Sequence, residues 1–485
     1  MKKIYITTTL PYVNAPPHIG FALEIIQADV IARYHRILGD EVFFNTGTDE
    51  HGLKIYQKAL EEEKEPQKYC DEYAAKFDLL KEKLNLSYSN FIRTTDLHHI
   101  KATQEFWKRC EANGDIYKKN YKTKYCVGCE LEKTDSELID GKCPIHPDRK
   151  IEIIEEENYF FRFSKYQKSL LDFYDANLNF VIPKFRQTEI YNFVKSGLQD
   201  FSISRLKTKM PWGIPVPGDD NQVMYVWFDA LINYISCLGW PEDQERFKLY
   251  WGTKKKPNAI QVAGKDNLRQ QTAMWQAMLI SAGLPTSKQI FIHGFINLAG
   301  QKISKSAEIS LPGPFELVDK YGTDPVRYYL LREIPAYEDG DFSIKRLEER
   351  YNSDLANGLG NLVARVLTLA VKNNVKKLGK IKDKEILEKI KEAKNNYQEN
   401  IEEFKFHEAL SNVWNLITFC DGYIDRTKPW ELAKTDTKKL EKVLSNLLYC
   451  ISEIADLIAP FLPETSEKIK EQLKTGKTEI LFPRI

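Results

Sequence analysis

One pattern occurs twice at the start of the chain: a short β-branched or apolar run, a polar turn, and then a helix-like segment. The run IYITT at 4–8 leads into the turn PYVNAPPHIG, after which apolar residues recur every three or four positions over 19–34. A second run at 42–44 leads into the turn TGTDEHG. This alternation predicts a parallel α/β sheet, in which ligands bind beyond the carboxyl ends of the strands. The two turns are therefore expected to form one pocket.

The rest of the chain divides into regions of different composition and periodicity. Residues 116–222 are rich in aromatic residues, lysine and cysteine, which indicates an insertion. Strand-like runs at 223–227, 260–263 and 290–292 return to the α/β pattern. Apolar stripes at helical spacing after about residue 343 predict an all-α bundle. The predicted architecture is a Rossmann-like parallel-sheet domain (1–115 and 223–289) with an insertion (116–222), a region around the loop QKISKS (290–343) and a C-terminal helical bundle (344–485).

The composition excludes several classes of protein. Hydrophobic residues make up 42% of the 485 residues and charged residues 29%, which is typical of an ordered globular protein. The 70 basic and 69 acidic residues give a net charge of +1, which excludes a globally basic or acidic protein but leaves room for a local basic surface. The N-terminus lacks the apolar run of a signal peptide, and no apolar stretch is long enough for a bilayer. A cytoplasmic protein is expected.

Four residues have the spacing of a metal site. Two residues separate Cys126 from Cys129, and after 13 further residues Cys143 and His146 repeat that spacing. Two such pairs supply the four donors of a tetrahedral Zn²⁺ site, and four protein ligands leave no open position for catalysis. A structural zinc in the insertion is therefore predicted. The remaining cysteines are predicted to be small buried apolar residues: Cys70, Cys110, Cys237, Cys420 and Cys450.

Two short motifs suit phosphate chemistry. His18 and Gly20 in PPHIG follow a strand and open a helix, and a helix N-terminus attracts phosphate. Lys302 and Lys305 in KISKS lie in a glycine-led loop that suits closure on a polyphosphate, where charge stabilisation is the main catalytic effect. Either motif alone is short enough to have a purely structural role.

The two motifs together, at opposite ends of an α/β domain, resemble the signatures of class I aminoacyl-tRNA synthetases. Five segments in order, TTLPYVNAPPHIG, FFNTGTDEHG, YVWFDALINY, GKD and KISKS, are similar to the active site of methionyl-tRNA synthetases, and the resemblance covers essentially the whole chain. It implies activation of methionine by ATP with Mg²⁺, release of pyrophosphate, and transfer of methionine to tRNA(Met) with a CAU anticodon. It also implies a single zinc knuckle in the insertion.

The resemblance implies four sets of residues. The catalytic set is His18, Lys302 and Lys305. The ATP-binding set is His18, Gly20, Glu24, Gly264, Asp266 and Lys305. The methionine-binding set is Leu10, Tyr12, Asp49, Trp227, Ala230, Tyr234 and Gln271. The anticodon-binding set is Asn361, Arg365 and Trp430.

The chemistry of several of these residues agrees with those roles. Asp49 at a strand end suits the α-ammonium of an amino acid. Trp227 and Tyr234, seven residues apart on one expected helix, suit a polarizable thioether. Asn361 and Arg365 are four residues apart and share one helix face, and Trp430 can stack on a base. Packing in a core would account for the aromatic residues equally well without the resemblance.

The sequence departs from the family signature at two places. Phe21 stands where the signature ends in a second histidine, so one phosphate contact is expected to be missing, which can cost on the order of 10²–10³ in rate. Asn267 and Gln271 stand where some members carry an apolar residue and a histidine. The resemblance therefore does not determine which side chains form the floor of the methionine pocket.

Two alternatives remain from the sequence. One is a class I enzyme for another amino acid, although the insertion is short for an editing domain. The other is a non-catalytic tRNA-binding paralogue, which Phe21 favours, whereas the retained His18, Asp49, Lys302 and Lys305 favour an enzyme. A monomer without an appended dimerisation domain is expected.

Overall fold

The computed structural model describes residues 1–129, 131–133, 135–298, 301–302, 312–375, 381 and 383–485. The strands in these ranges are β1 (Lys3–Thr8), β2 (Glu41–Thr48), β3 (Asn90–Arg93), β4 (Ile116–Cys126), β5 (Leu131–Lys133), β6 (Glu152–Phe161), β7 (Val181–Ile182), β8 (Phe201–Ser202), β9 (Ser204–Leu206), β10 (Pro215–Val216), β11 (Asp219–Met224), β12 (Gly252–Thr253), β13 (Lys256–Pro257), β14 (Ala259–Gly264), β15 (Gln289–His293), β16 (Ile296–Leu298), β17 (Gln301–Lys302) and β18 (Gly340–Asp341).

The helices in the same ranges are α1 (Ile19–Ile37), α2 (Leu53–Glu61), α3 (Pro66–Asp78), α4 (Leu80–Lys83), α5 (Leu97–Ala112), α6 (Gln167–Ala176), α7 (Lys184–Lys195), α8 (Val226–Ala230), α9 (Asn233–Ser236), α10 (Gln244–Tyr250), α11 (Trp275–Ser281), α12 (Pro314–Tyr321), α13 (Thr323–Glu333), α14 (Ile344–Arg350), α15 (Asn361–Lys372), α16 (Lys384–Glu402), α17 (Phe406–Thr427), α18 (Pro429–Thr435), α19 (Thr437–Ile458) and α20 (Pro463–Thr475). No helix of these ranges has the length and apolar character that a membrane span requires. The cytoplasmic assignment stays a prediction.

The two N-terminal runs form neighbouring strands of a six-stranded parallel sheet, as predicted. The strand order is β3-β2-β1-β14-β15-β7. Consecutive residues of β14 are all buried, which is typical of parallel strands that are covered on both faces. Because the strands are parallel, the segments that follow β1, β2, β14 and β15 meet at one edge of the sheet.

The segment predicted as an insertion also contributes to this sheet. β7 pairs in parallel with β15, with Val181 opposite Ile290. The rest of 116–222 contains α6, α7 and antiparallel strands, chiefly those of a four-stranded sheet of order β5-β4-β6-β8. The pairing of β7 could not be read from local sequence, because its partner lies more than 100 residues away. The exact domain boundaries stay predictions.

Two local predictions in the segment 223–236 are wrong. β11 ends at Met224 and pairs antiparallel with β9 and β10, because the turn containing Gly218, whose φ is +80°, folds β10 and β11 into a hairpin. The single helix expected to hold Trp227 and Tyr234 is divided into α8 and α9. The side-chain amide of Asn233 donates to the carbonyl of Ala230 at 2.6 Å, and such side-chain bonds compete with helical ones.

The predicted helical stripes are confirmed. The stripe on α17 is buried at every position of the pattern: Phe406, Leu410, Val413, Ile417, Cys420 and Ile424. The stripe on α19 is buried in the same way: Leu440, Leu444, Leu447, Ile451, Ile454 and Ile458. The five cysteines outside the metal motif are also buried, as predicted. These stripes form the core of the helical bundle.

One buried guanidinium joins this bundle to the first helix. Arg327 on α13 is fully buried, and its Nη2 donates to Asp29 Oδ2 on α1 at 2.8 Å. The same side chain donates to the carbonyls of Pro460 and Phe461 at 3.0 and 2.8 Å, and to that of Leu84 at 3.0 Å. Four hydrogen bonds therefore hold α13 to α1, to the end of α4 and to the segment before α20.

Candidate functional site

The first turn of α1 is capped by a histidine side chain. His18 Nδ1 accepts hydrogen bonds from the backbone N–H groups of Gly20 and Phe21 at 3.1 and 3.4 Å. An accepting Nδ1 places the ring proton of the neutral imidazole on Nε2. A Cβ at Gly20 would lie 3.0 Å from the His18 ring, so glycine leaves room for this cap. His18 therefore presents an N–H donor at a helix N-terminus.

Phe21 stands at the sequence position of the second signature histidine, but its side chain is buried in the core and not exposed at the start of α1. Its side chain is only 7% exposed, belongs to the main apolar core, and meets Phe77 edge to face at 5.7 Å between ring centroids. Phe21 thus packs in the core between α1 and α3.

Glu24, one turn further along α1, is held between two strand ends. Its Oε1 accepts hydrogen bonds from the backbone N–H and hydroxyl of Thr9 at 2.8 and 2.6 Å, just beyond β1. Its Oε2 lies 3.0 Å from Nε2 of His293, the last residue of β15, whose Nδ1 lies 2.7 Å from the carbonyl of Gly294. Burial alone would lower the pKa of His293, but the hydrogen bond and charge of Glu24 outweigh it and raise that pKa. Glu24 therefore orders the strand ends around the site.

Gly264 and Asp266 lie at the end of β14, between the ends of β1 and β15. A Cβ at Gly264 would lie 2.9 Å from Asp266 Oδ1 and 3.6 Å from the ring of His293, so only glycine leaves this space open. Asp266 is exposed, whereas Gly264 and His293 are buried. Asn267, one of the departures from the family, donates to Asp266 Oδ1 at 3.2 Å.

The turn after β2 joins the turn after β1, as predicted. Tyr12 and Asp49 form a parallel bridge, in which the N–H of Asp49 donates to the carbonyl of Pro11 at 3.0 Å. Asp49 is buried, with 4% of its surface exposed. The carboxylate of the next residue, Glu50, accepts hydrogen bonds from Nε and Nη2 of Arg93 at 2.6 and 2.8 Å. These bonds hold the turn against β3.

A buried carboxylate connects this turn to α8. Asp229 Oδ2 lies 2.6 Å from His51 Nδ1, and Asp229 Oδ1 lies 2.8 Å from His99 Nε2. His99 Nδ1 in turn lies 2.9 Å from the hydroxyl of Ser236 on α9. Burial would raise the pKa of Asp229, but the charges and hydrogen bonds of His51 and His99 lower it. The carboxylate thus ties α5, α8 and the turn after β2 together.

Four of the remaining residues of the predicted methionine set are divided between two apolar clusters. Tyr12 and Trp227 pack against the same small apolar cluster, while Leu10 packs against the larger cluster that contains Tyr234. Ala230 is 8% exposed at the end of α8. Gln271 Nε2 donates to the hydroxyl of Tyr234 at 2.6 Å. Two residues of the predicted set, Gln271 and Tyr234, are thus in direct contact.

The KISKS loop falls largely outside the described residues. Lys302 is described only through its backbone, which pairs with Asn297 in β16. Lys305 lies outside the described residues. Their predicted roles stay predictions.

The four predicted metal ligands are brought together. The ligand atoms of Cys126, Cys129, Cys143 and His146 all lie within 4.8 Å of one another. Cys129 Sγ lies 3.5 Å from Cys143 Sγ and 3.2 Å from His146 Nδ1. Thiolates about 2.3 Å from a tetrahedral zinc are about 3.8 Å apart, so the cluster fits a metal of that size. A Cβ at Gly128 would lie 2.5 Å from the His146 ring, which is why this turn needs glycine.

A separate surface lies in the helical bundle. Arg365 and Trp430 line a cavity of about 370 Å³ together with Ala364, Thr368 and Leu369. Trp430 is 42% exposed rather than part of the core. Arg365 Nη1 lies 3.9 Å from Asp421 Oδ1. Asn361 begins α15 on the same helix face as Arg365, but it does not line the cavity.

The sequence matches the family described as tRNA synthetases class I (M) over residues 4–151 and 146–367, and an anticodon-binding domain of tRNA ligases over 383–483. The methionine–tRNA ligase of Thermotoga maritima is 43% identical over 476 residues, which cover 96% of this chain and 74% of that protein. The chain belongs to the class I methionyl-tRNA synthetase family. The methionine–tRNA ligase of Brucella suis is 41% identical, over 97% of this chain and 92% of that protein.

Solved structures of methionyl-tRNA synthetases share the fold. The Mycobacterium tuberculosis methionyl-tRNA synthetase in complex with methionyl-adenylate superposes with a TM-score of 0.91 at 37% identity, over 97% of this chain and 94% of that one. The apo form of that synthetase gives a TM-score of 0.86 at 34% identity, over 100% and 98% of the two chains. Among the alternatives left open by the sequence, the family favours methionine over another amino acid.

Several residues of this synthetase site were not predicted from the sequence. His51 lies in the segment TGTDEHG, two residues from Asp49. Asp229 lies in the segment YVWFDALINY, two residues from Trp227. Closeness in sequence to predicted methionine-binding residues could therefore have identified both. His99 and His293 carry no local signal, because their partners come from other elements.

Proposed function

We propose that this chain activates methionine with ATP to form methionyl-adenylate and transfers the methionyl group to tRNA(Met). The observation that carries the proposal is the backbone bridge between Tyr12 and Asp49, which joins the turn that holds Asp49 to the turn that leads to His18. A carboxylate suited to an ammonium group and a helix start suited to phosphate therefore lie at one edge of the sheet. Family membership and the adenylate-bound relative support the same reaction.

The reaction needs no nucleophilic side chain. The methionine carboxylate attacks the α-phosphorus of ATP, the bond to the β-phosphate oxygen breaks, and pyrophosphate leaves. Asp49 would pair with the substrate ammonium and hold the carboxylate in line for attack. The Nε2–H of His18 and the positive end of α1 would stabilise charge on the phosphate oxygens.

Charge on the departing pyrophosphate would be met by Lys302 and Lys305. Mg²⁺ bound with ATP would supply further positive charge to the phosphates. Gly20 and Gly264 would let the nucleotide approach the backbone, and Asp266 would accept a ribose hydroxyl. Glu24 already uses both carboxylate oxygens within the protein, so we assign it the positioning of these groups.

We propose a structural zinc, one per chain, bound by Cys126, Cys129, Cys143 and His146. Four protein donors close its coordination shell, so the ion would order the insertion rather than take part in the reaction.

We propose that Arg365, Trp430 and Asn361 bind the CAU anticodon. A partly exposed tryptophan beside an arginine suits stacking on an unpaired base and hydrogen bonding to its edge. Trp430→Ala is expected to raise the KM for tRNA by about 10-fold or more, the value of one base–aromatic stack. Leu387→Ala, at an equally exposed apolar position of α16, is the matched control.

The test of the reaction is ATP–pyrophosphate exchange with methionine, cysteine, leucine and isoleucine, followed by aminoacylation of a tRNA with a CAU anticodon. Exchange that depends on methionine alone is expected. The absence of any methionine-dependent exchange would overturn the proposal. Binding of tRNA without binding of ATP in isothermal titration would instead identify a non-catalytic paralogue.

A further inference from the structure

One carboxylate holds the segments that follow β14 and β15 against each other. Asp339 lies just before β18, and its Oδ2 accepts a hydrogen bond from Lys265 Nζ at 2.6 Å. Its Oδ1 accepts a hydrogen bond from the backbone N–H of Phe295 at 2.9 Å. Lys265 belongs to the turn after β14, and Phe295 lies between β15 and β16. Each oxygen of the carboxylate therefore binds a different strand end.

Backbone contacts reinforce this arrangement. The N–H of Gly340, the residue after Asp339, donates to the carbonyl of Phe295 at 2.9 Å. A Cβ at Gly294 would collide with the backbone carbonyl of Glu338, so the two backbones are in close contact at this point. The segment before β18 is thus packed directly against the segment after β15.

Lys265 is held from two sides by groups outside its own turn. Burial alone would raise the pKa of Asp339, but the hydrogen bonds from Lys265 and from the N–H of Phe295 lower it, so the carboxylate is charged at neutral pH. The side chains of Lys265 and Asp339 are 26% and 33% exposed, which leaves the pair partly shielded from water. The ammonium also lies 4.4 Å from the centre of the Phe295 ring, whose face attracts a cation.

The contact between Lys265 and Asp339 joins two parts of the proposed ATP site. Lys265 stands between Gly264 and Asp266, the two residues of this turn that we assign to nucleotide binding. Asp339 precedes β18, which pairs with β16, and β16 pairs with β17, the strand in which Lys302 stands. The two partners are 74 residues apart in the sequence. One ion pair therefore sets the turn after β14 against the small sheet that contains β17.

We infer that Asp339 is a positioning residue for ATP binding. Through Lys265 and the N–H of Phe295 it holds the turn with Gly264 and Asp266 where the nucleotide binds. Lys265 is then a tether within the protein and not a phosphate ligand, because its ammonium is already paired. The inference rests on the proposed function, which puts ATP at this edge of the sheet.

The test compares the KM for ATP with the KM for methionine in ATP–pyrophosphate exchange, beside the Kd for ATP in isothermal titration. Asp339→Asn keeps the shape and an oxygen for the Phe295 N–H, but it removes the charge that faces Lys265. The KM for ATP is expected to rise by about fivefold, the upper value for a partly exposed ion pair. Asp339→Ala also removes the acceptor of the Phe295 N–H and should raise the KM for ATP by about 10-fold or more.

The KM for methionine should stay unchanged in both variants, because the turn after β14 is proposed to meet the nucleotide. A protein that is merely destabilised would instead lose active fraction, with both KM values unchanged. If Asp339→Ala does not fold, Asp339→Asn decides the inference alone.

A second substitution tests whether Asp339 acts through Lys265. Lys265→Met keeps an unbranched side chain without the ammonium, and it should raise the KM for ATP as much as Asp339→Asn does. In the double variant the second change should add little, because residues that act through one contact are not additive. The matched control is Glu338→Gln, which removes the same charge at the exposed neighbouring position and should keep the wild-type KM for ATP.

The inference is overturned if Asp339→Asn leaves the KM and Kd for ATP unchanged or lowers them. A lower value would show that Asp339 withholds Lys265 from the phosphates. The inference also fails if the KM for methionine rises as much, if the two substitutions add in full, or if Glu338→Gln has the same effect. A wild type that binds ATP without methionine-dependent exchange would overturn the proposed function instead, and titration of the variants with ATP would still decide the inference.

Discussion

His51 Nδ1 lies 2.6 Å from Asp229 Oδ2, and both side chains are buried. The histidine is two residues from Asp49, and the carboxylate is two residues from Trp227. This contact therefore sets the distance between two walls of the proposed methionine pocket. The second oxygen of the carboxylate is held by His99, so its orientation is fixed from both sides.

Replacing that carboxylate should weaken methionine binding. Asp229→Asn keeps the size but removes the charge between two histidines, and breaking one partner of a buried pair costs about 3–5 kcal/mol. We expect the KM for methionine in exchange to rise at least about 10-fold and the protein to lose stability. Asp220→Asn at an exposed position is the control. An unchanged KM for methionine would show that the contact does not shape the pocket.

The stability of the site should depend on pH through His293. A histidine whose pKa is raised on folding stabilises the protein below its unfolded pKa of about 6.5, and this contribution is lost as pH rises through the folded pKa. Urea unfolding of the wild type and of His293→Gln should therefore differ most at pH 6 or below. The difference should shrink towards pH 9. A difference that grows with pH would contradict the charged pair of His293 and Glu24.

Restoring the family histidine at position 21 should harm the protein. From the sequence alone, position 21 is the place of a missing phosphate contact, whereas the packing of Phe21 against Phe77 predicts that the ring of Phe21→His would be buried without a polar partner. Such a group costs about 1–3 kcal/mol. We expect a lower free energy of unfolding and no large gain in aminoacylation. Phe21→Leu, which stays apolar, should lose less stability, and a gain of 10-fold or more with the histidine would refute this expectation.

The zinc content should depend on Gly128. A Cβ at this position would lie 2.5 Å from the ring of His146, so Gly128→Ala should displace that ligand. We expect less than one zinc per chain by atomic emission, together with faster loss of zinc to a chelator. Gly422→Ala is the control, because a Cβ there meets no atom within 4 Å. Full zinc content in Gly128→Ala would count against His146 as a ligand.

Local patterns account for the parts of the molecule that were predicted correctly. β1, α1 and β2 follow from neighbouring residues, and the cysteine spacing of 126–146 brings four ligands together because each pair sits on its own turn. The stripe of α17 was predictable for the same reason, since helical spacing alone decides which face is buried.

The parts that were missed depend on distant partners. The place of β7 in the sheet depends on β15, and the hairpin of β10 and β11 draws the strand at 219–224 away from the central sheet. Gln261, Gln271 and Gln276 show no periodic or spaced motif, because the hydrogen bonds between them form only when β14 and α11 are packed together. The resemblance marks Gln271 as a methionine-binding residue and as a departure from the family, but nothing in the sequence indicates its hydrogen-bond partners.

Arg327 makes α1 and the C-terminal helices parts of one mechanical unit. A sliding movement of the segment at 460–461 against α1 would strip the guanidinium of bonds to Asp29 or to two carbonyls. Water cannot reach the guanidinium to replace those bonds, because the Arg327 side chain has no exposed surface. An uncompensated buried charge costs several kcal/mol. A displacement of the C-terminal helices would therefore move α1 as a whole, including the turn at His18. It would not be taken up by a change in the hydrogen bonds of Arg327.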